Sequence, residues 1–240
     1  MDVNGKTVLL TGGSAGIGRE IARQLKAKGA HVILTGRDPE RLAAMEAEGF
    51  EVLAADLSTP AGVDALVAAL GEKRIDVLIN NAGLGVPHDV RNALPDADAA
   101  DGCLYTNLAA PIRLITALLP RLRQRPQAAI VNVTSGLAIA PNTASSVYCA
   151  SKAGLRSYTM ALRSQLKGEP FQVIEALPPV VDTQMTATRK TGKMPPQECA
   201  RQIVSALESG QPEANVGMVK VLRAVYSLSP ALARSIMRRF

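Results

Sequence analysis

A chain of 240 residues, 47% apolar but only 3% aromatic, holds enough Val, Leu, Ile and Ala for one full core, which favours a single α/β domain. Cys103, Cys149 and Cys199 have neither metal-ligand nor disulfide-framework spacing, which predicts reduced thiols and a cytoplasmic setting. The net charge of +6 is partly local to the C-terminal segment, no signal-peptide pattern precedes the first strand, and no apolar run approaches the roughly 20 residues that span a bilayer.

Short β-branched runs at 6–11, 31–35, 51–54, 76–80, 129–134 and 172–176 read as buried strands. Helical patterns fall between them at 17–28, 39–48, 61–70, around 101–124 and at 147–167. Strands alternating with helices of this length predict a doubly wound, mainly parallel Rossmann-type sheet with helices on both faces. Beyond the sixth strand, residues 178–196 carry four prolines and little periodicity, which predicts a long loop with a short helix closing over a ligand. A helix at 196–208 and an edge strand follow. Lys220, Arg223, Arg234, Arg238 and Arg239 then occur with no carboxylate, and predict either a C-terminal helix packed on its own domain or a weak contact with an acidic membrane surface.

Chemistry-bearing residues fall at the strand ends. Thr11-Gly12-Gly13-Ser14-Ala15-Gly16-Ile17-Gly18 lies between a strand and a helix, where glycines let the backbone approach a pyrophosphate resting on helix N-terminal amides. At the end of the second strand, Arg37 stands where an NAD site usually places a carboxylate, and a guanidinium suits a 2′-phosphate. Asp38 before Pro39 reads as a helix N-cap rather than as that carboxylate. NADP(H) is therefore expected over NAD(H). Tyr148 and Lys152, four residues apart, share one helical face, an arrangement that chance also produces. Ser135 could simply cap the turn after its strand, with Thr134 a chemical rival; Asn107 could be a helix irregularity and Lys152 a surface lysine.

Gly12, Gly16 and Gly18, then Asn80-Asn81-Ala82-Gly83, Asn107, Ser135 and Tyr148-x-x-x-Lys152 occur in an order and spacing that resemble the compact single-domain branch of the short-chain dehydrogenase/reductase family. The resemblance covers about residues 5–210. It implies one domain, with a cofactor half over about 1–135 and the catalytic helix, substrate loop and C-terminal segment over about 136–240. It implies that Tyr148 exchanges a proton with a carbonyl or secondary alcohol, that Lys152 binds the nicotinamide ribose and lowers the tyrosine pKa, and that Ser135 hydrogen-bonds the substrate oxygen. Asn107 would hold a water linking Lys152 to solvent. The cofactor would meet Gly12, Ser14, Gly16, Ile17 and Gly18 at the turn, Arg37, Asp56 and Leu57 at its adenosine end, and Asn81, Ala82 and Gly83 beyond. Pro178, Val181 and Thr183 fall on the family's nicotinamide-contacting positions, although Asp56 could equally cap a turn.

Pro179 departs from the family's usual glycine, and proline cannot take the positive-φ conformations open to glycine. The run Pro178-Pro179-Val180-Val181-Asp182-Thr183, with Tyr148-Cys-Ala-Ser-Lys152, resembles the DltE-like subgroup of bacterial oxidoreductases. Leu84, Val86, Leu137, Ile139 and Met185 are expected to line an apolar substrate pocket, and His88 to lie in a nearby loop. A homodimer or homotetramer is implied by the family, and no nucleic-acid partner is expected. A nucleotide-sensing protein without turnover, or an isomerase on the same scaffold, are the competing classes.

Overall fold

Runs such as Thr7–Leu10 (TVLL) and Val77–Asn80 (VLIN) carry apolar side chains at successive positions, so both faces of each strand seek cover. The computed structural model describes residues 1–91, 96–190 and 192–238. Strands β1 (Thr7–Leu10), β2 (His31–Gly36), β3 (Glu51–Ala54), β4 (Val77–Asn80), β5 (Ala128–Val133), β6 (Phe171–Leu177) and β7 (Glu213–Asn215) pair in parallel. They form a seven-stranded sheet in the order β3-β2-β1-β4-β5-β6-β7. Val8, Leu10, Val77, Ile79 and Val131 point into one core, while the intervening Leu9, Leu78 and Ile130 point into the other.

The first core is closed by α1 (Gly16–Ala27), α2 (Pro39–Ala47) and α7 (Pro196–Ser209) through Ile21, Leu25, Met45, Ile203 and Leu207. The second is closed by α3 (Pro60–Ala69), α5 (Ala110–Leu122) and α6 (Ser146–Gln165) through Leu66, Leu114, Leu118 and Leu162. Strand order reverses between β1 and β4, which opens a crevice beyond their C-terminal ends. This is the doubly wound single domain that the alternation of elements predicts.

Three details differ from the sequence expectation. The helix expected around 101–124 begins earlier, at α4 (Ala97–Leu104), because Asp96 caps it by accepting a hydrogen bond from the Ala99 N–H at 3.1 Å. A π-helical turn, Tyr105–Ala109, then joins α4 to α5. The joined stretch Ala97–Leu122 is long and apolar enough to cross a membrane by length and composition, which no apolar run in the sequence announces; here its Leu114, Ile115, Leu118 and Leu122 pack into the second core. Third, the basic C-terminal segment forms two helices, α8 (Val219–Leu228) and α9 (Pro230–Met237). Arg239 lies outside the described residues.

Candidate active site

The glycine turn is built by exclusion. Gly12 has a φ of 64°, a conformation that favours glycine. A Cβ at Gly18 would lie 2.1 Å from the Gly12 carbonyl oxygen and 2.5 Å from Asn81 Nδ2. Thr11 Oγ1 accepts from the N–H groups of Asn81 and Ala82, each at 3.0 Å, and Asn81 Nδ2 donates to the carbonyls of Thr11 (3.0 Å) and Gly12 (3.1 Å). Two motifs far apart in sequence thus interlock. Helix α1 begins with no side-chain cap at Ala15, so its first N–H groups face the crevice as an anion seat.

A cleft of about 550 Å³ runs from this turn in both directions. Ser14, Gly16, Ile17, Arg37, Asp56 and Leu57 line one side of it. Gly36 admits the turn there, since a Cβ on it would lie 2.6 Å from Ser14 Oγ. Asp38 accepts from the Arg41 N–H at 3.1 Å and caps α2, as its place before Pro39 predicts. Asp56 accepts from the Ser58 N–H at 3.0 Å, so the turn-capping role is realised as well as the place in the cleft. Hydrogen bonds from Ser58, and more weakly the Arg37 guanidinium, hold its carboxyl below the usual carboxylate range. Sequence reasoning missed Arg41. Its Nη2 donates to Gln184 Oε1 at 2.7 Å, joining α2 to the loop on the opposite wall. The signal was its place in the first turn of the helix that Asp38 caps and Pro39 begins, just past Arg37.

At the other end, Ser135, Tyr148 and Lys152 line the cleft together. Lys152 is only 3% exposed, so it is no surface lysine. Its Nζ donates to the Val133 carbonyl at 2.8 Å and sits 5.9 Å from the centre of the Tyr148 ring. Burial pulls the Lys152 pKa down to about 8. Burial also pushes the Tyr148 phenol up to about 12, opposed by a hydrogen bond with Ser135. Loss of hydration thus sets the direction for both groups, and Lys152 Nζ commits one of its three N–H donors to Val133. Ser135 Oγ also accepts from the Leu137 N–H at 3.1 Å, so it caps its turn while facing Tyr148. Thr134 is committed elsewhere, donating to Glu175 Oε1 at 2.7 Å and to the Ala176 carbonyl at 3.1 Å.

Asn107 sits fully buried in the π turn, behind the cleft wall rather than on it. Its Oδ1 accepts from the Leu84 N–H at 2.8 Å, and its Nδ2 donates to the Leu84 carbonyl at 2.8 Å and to Ser151 Oγ at 3.0 Å. A Cβ on Gly83 would lie 3.2 Å from Asn107 Oδ1 and 3.5 Å from Lys152 Nζ, which places the three side by side. The irregular helix and the side chain bonded to backbone are both present.

Ala82, Gly83, Pro178, Val181 and Thr183 close the cleft from above and behind. The Pro178 carbonyl accepts from the Gly136 N–H at 2.9 Å, and among the described residues only glycines have positive φ, so Pro179 is passed without strain. Leu84 and Met185 line the cleft as expected, whereas Val86 and Leu137 do not. Ile139 turns inward to pack with Leu177 and Val219, because its short 3-10 turn carries it past the cleft. His88 bonds Ser146 Oγ at 2.7 Å, away from the cleft. All three cysteines are free and buried, Cys149 included.

Comparison with known proteins gives this geometry a lineage. A family model described as short chain dehydrogenase matches residues 6–193. The uncharacterized oxidoreductase DltE of Bacillus subtilis is 40% identical over 187 residues, covering 76% of this chain and 74% of the relative. The ketoacyl reductase HetN of Nostoc sp. is 33% identical over 261 residues, covering 99% and 90%. A short chain dehydrogenase from Burkholderia cenocepacia, solved in complex with NADP, superposes with a TM-score of 0.87 at 26% identity, covering 99% of each chain. The chain is an enzyme and belongs to the short-chain dehydrogenase family of oxidoreductases.

Proposed function

We propose that the protein is an NADP(H)-dependent oxidoreductase interconverting a carbonyl and a secondary alcohol. The carrying observation is the meeting of Ser135, Tyr148 and Lys152 at one end of a cleft whose other end presents Arg37. The residues present fit the cofactor: the uncapped start of α1 opens its N–H groups into the cleft as a seat for a pyrophosphate, and Gly12 and Gly18, which admit no Cβ against Ala82 and Asn81, hold the turn close behind it. Bound there, the nicotinamide supplies the hydride chemistry.

The remaining tasks belong to the chain. Arg37 offers two parallel donors to a 2′-phosphate, which favours NADP(H) over NAD(H). Asp56 and Leu57 flank the adenine, and Asn81, Ala82 and Gly83 the middle of the cofactor. Lys152 takes the nicotinamide-side ribose hydroxyls; Pro178, Val181 and Thr183 fix the carboxamide side. With a pKa of about 12, Tyr148 keeps its proton at neutral pH and delivers it to a carbonyl oxygen. Ser135 donates to that oxygen as negative charge grows on it. Asn107 holds a water on the path from Lys152 to solvent. Leu84 and Met185 make the substrate end apolar, and the reductase name of HetN supports a carbonyl substrate. Three free buried thiols fit a reducing cytoplasm. Assembly into a homodimer or homotetramer belongs to the same reading.

Absorbance of NADPH and NADH against a panel of ketones, aldehydes and diketones tests it. Tyr148→Phe should lower turnover by roughly 10²–10⁴-fold while leaving NADPH binding intact. Turnover that survives loss of the phenol sinks the mechanism.

A further inference from the structure

Helix α8 has two apolar faces. Val219, Leu222 and Tyr226 pack inward against Ile139 and Leu177, next to the turn that carries Ser135. On the opposite side Val221, Ala224, Val225 and Leu228 follow the spacing i, i+3, i+4, i+7, and Met218 extends the stripe by one turn. Met218 is 70% exposed, Val221 52% and Leu228 89%. Leu228 stands at the corner between α8 and α9, and the stripe continues into α9 with Leu232, 54% exposed. A surface helix ordinarily turns polar residues to water; this one turns valine and leucine to it.

Charge selects the occupant. The segment from Gly217 to Arg238 contains no carboxylate. Arg234 and Arg238 are exposed and make no ion pair among the described residues, and Lys220 is exposed beside the stripe. Arg223 alone is drawn inward, to Glu213 at 3.4 Å. Two copies meeting through this face would bring like charges together around the contact, whereas anionic headgroups would complement them. Apolar side chains at an exposed corner, with Lys220 beside them and Arg234 and Arg238 on the other flank of α9, in a segment without carboxylates, match the way basic amphipathic helices lie in a bilayer interface. We infer that the α8–α9 hairpin docks the enzyme on the surface of an anionic lipid bilayer, with Leu228 and Val221 entering the headgroup region. The inner face of α8 then lies between the lipid and the turn holding Ser135. The inference does not depend on the proposed reaction.

Co-sedimentation of the full chain with vesicles tests it, using equal parts phosphatidylcholine and phosphatidylglycerol against phosphatidylcholine alone. Binding should be about tenfold stronger to the anionic vesicles and should weaken in high salt. The double variant Val221→Ser, Leu228→Ser should lose it while keeping the wild-type melting temperature and NADPH affinity, and Arg234→Glu with Arg238→Glu should lose the preference for anionic lipid. No pelleting, or equal pelleting with both vesicles, overturns the inference. A wild-type dimer that the Val221→Ser, Leu228→Ser variant converts to monomer also overturns it, assigning the face to a second copy.

Discussion

Asn81 holds Gly12 in place: its Nδ2 donates to the Gly12 carbonyl at 3.1 Å, and the same two atoms fill the space a side chain on Gly18 would need. Gly18→Ala must therefore push the turn away from β4, at a cost of about 1–3 kcal/mol for the forced shift. NADPH affinity should fall by tenfold or more, measured by cofactor fluorescence. Wild-type affinity in this variant would show that the turn yields freely.

Lys152 gives stability a distinctive pH dependence. Its pKa falls from 10.5 to about 8 on folding, so between those values the unfolded chain binds the extra proton. The lysine's penalty applies in full below pH 8 and is relieved as pH rises toward 10.5, by on the order of 3 kcal/mol at most. Relative to Lys152→Met, the wild type should gain stability from pH 7 to 10 in urea melts. A constant difference across that range would place the ammonium in a hydrated site.

Arg37→Ala separates the two cofactors. Loss of a charge-assisted pair with a phosphate should weaken NADPH by about 1.5–3 kcal/mol and leave NADH nearly unchanged. Titration of both cofactors by fluorescence checks it, and equal losses refute the phosphate assignment.

Glu175 is wholly buried on β6, paired with Arg156 Nη1 and accepting from Thr134. Burial raises its carboxyl pKa. Removing only the guanidinium, by Arg156→Met, should cost about 3–5 kcal/mol because a charge is left buried without its partner. The double change Arg156→Met, Glu175→Leu should recover most of that in chemical denaturation. No recovery would mean that Arg156 acts through packing alone.

The sheet and the cleft were legible because their signals are local. Glycines at 12, 16 and 18 and the run Asn80–Gly83 require close backbone approach, and the strands declare themselves by continuous apolar runs. Balances between distant groups were not legible. The Tyr148 pKa depends on how many atoms surround the phenol, which no i, i+4 spacing encodes. The π turn around Asn107 reflects bonds to Leu84, on a segment outside its helix. Ile139 looked like a cleft residue until α8 supplied the surface it packs on. Glu175 reads in sequence as a charge inside a strand, and only Arg156 on α6 explains it.

The bond between Arg41 and Gln184, 2.7 Å long, gives the cleft a strapped side and a free side. The two walls cannot separate at that point without parting the bond, whereas no such tie crosses the cleft between Leu84 and Met185 among the described residues. On the proposed reading the strapped side is the nucleotide's, so Arg41 would act on how the cleft opens rather than on the chemistry.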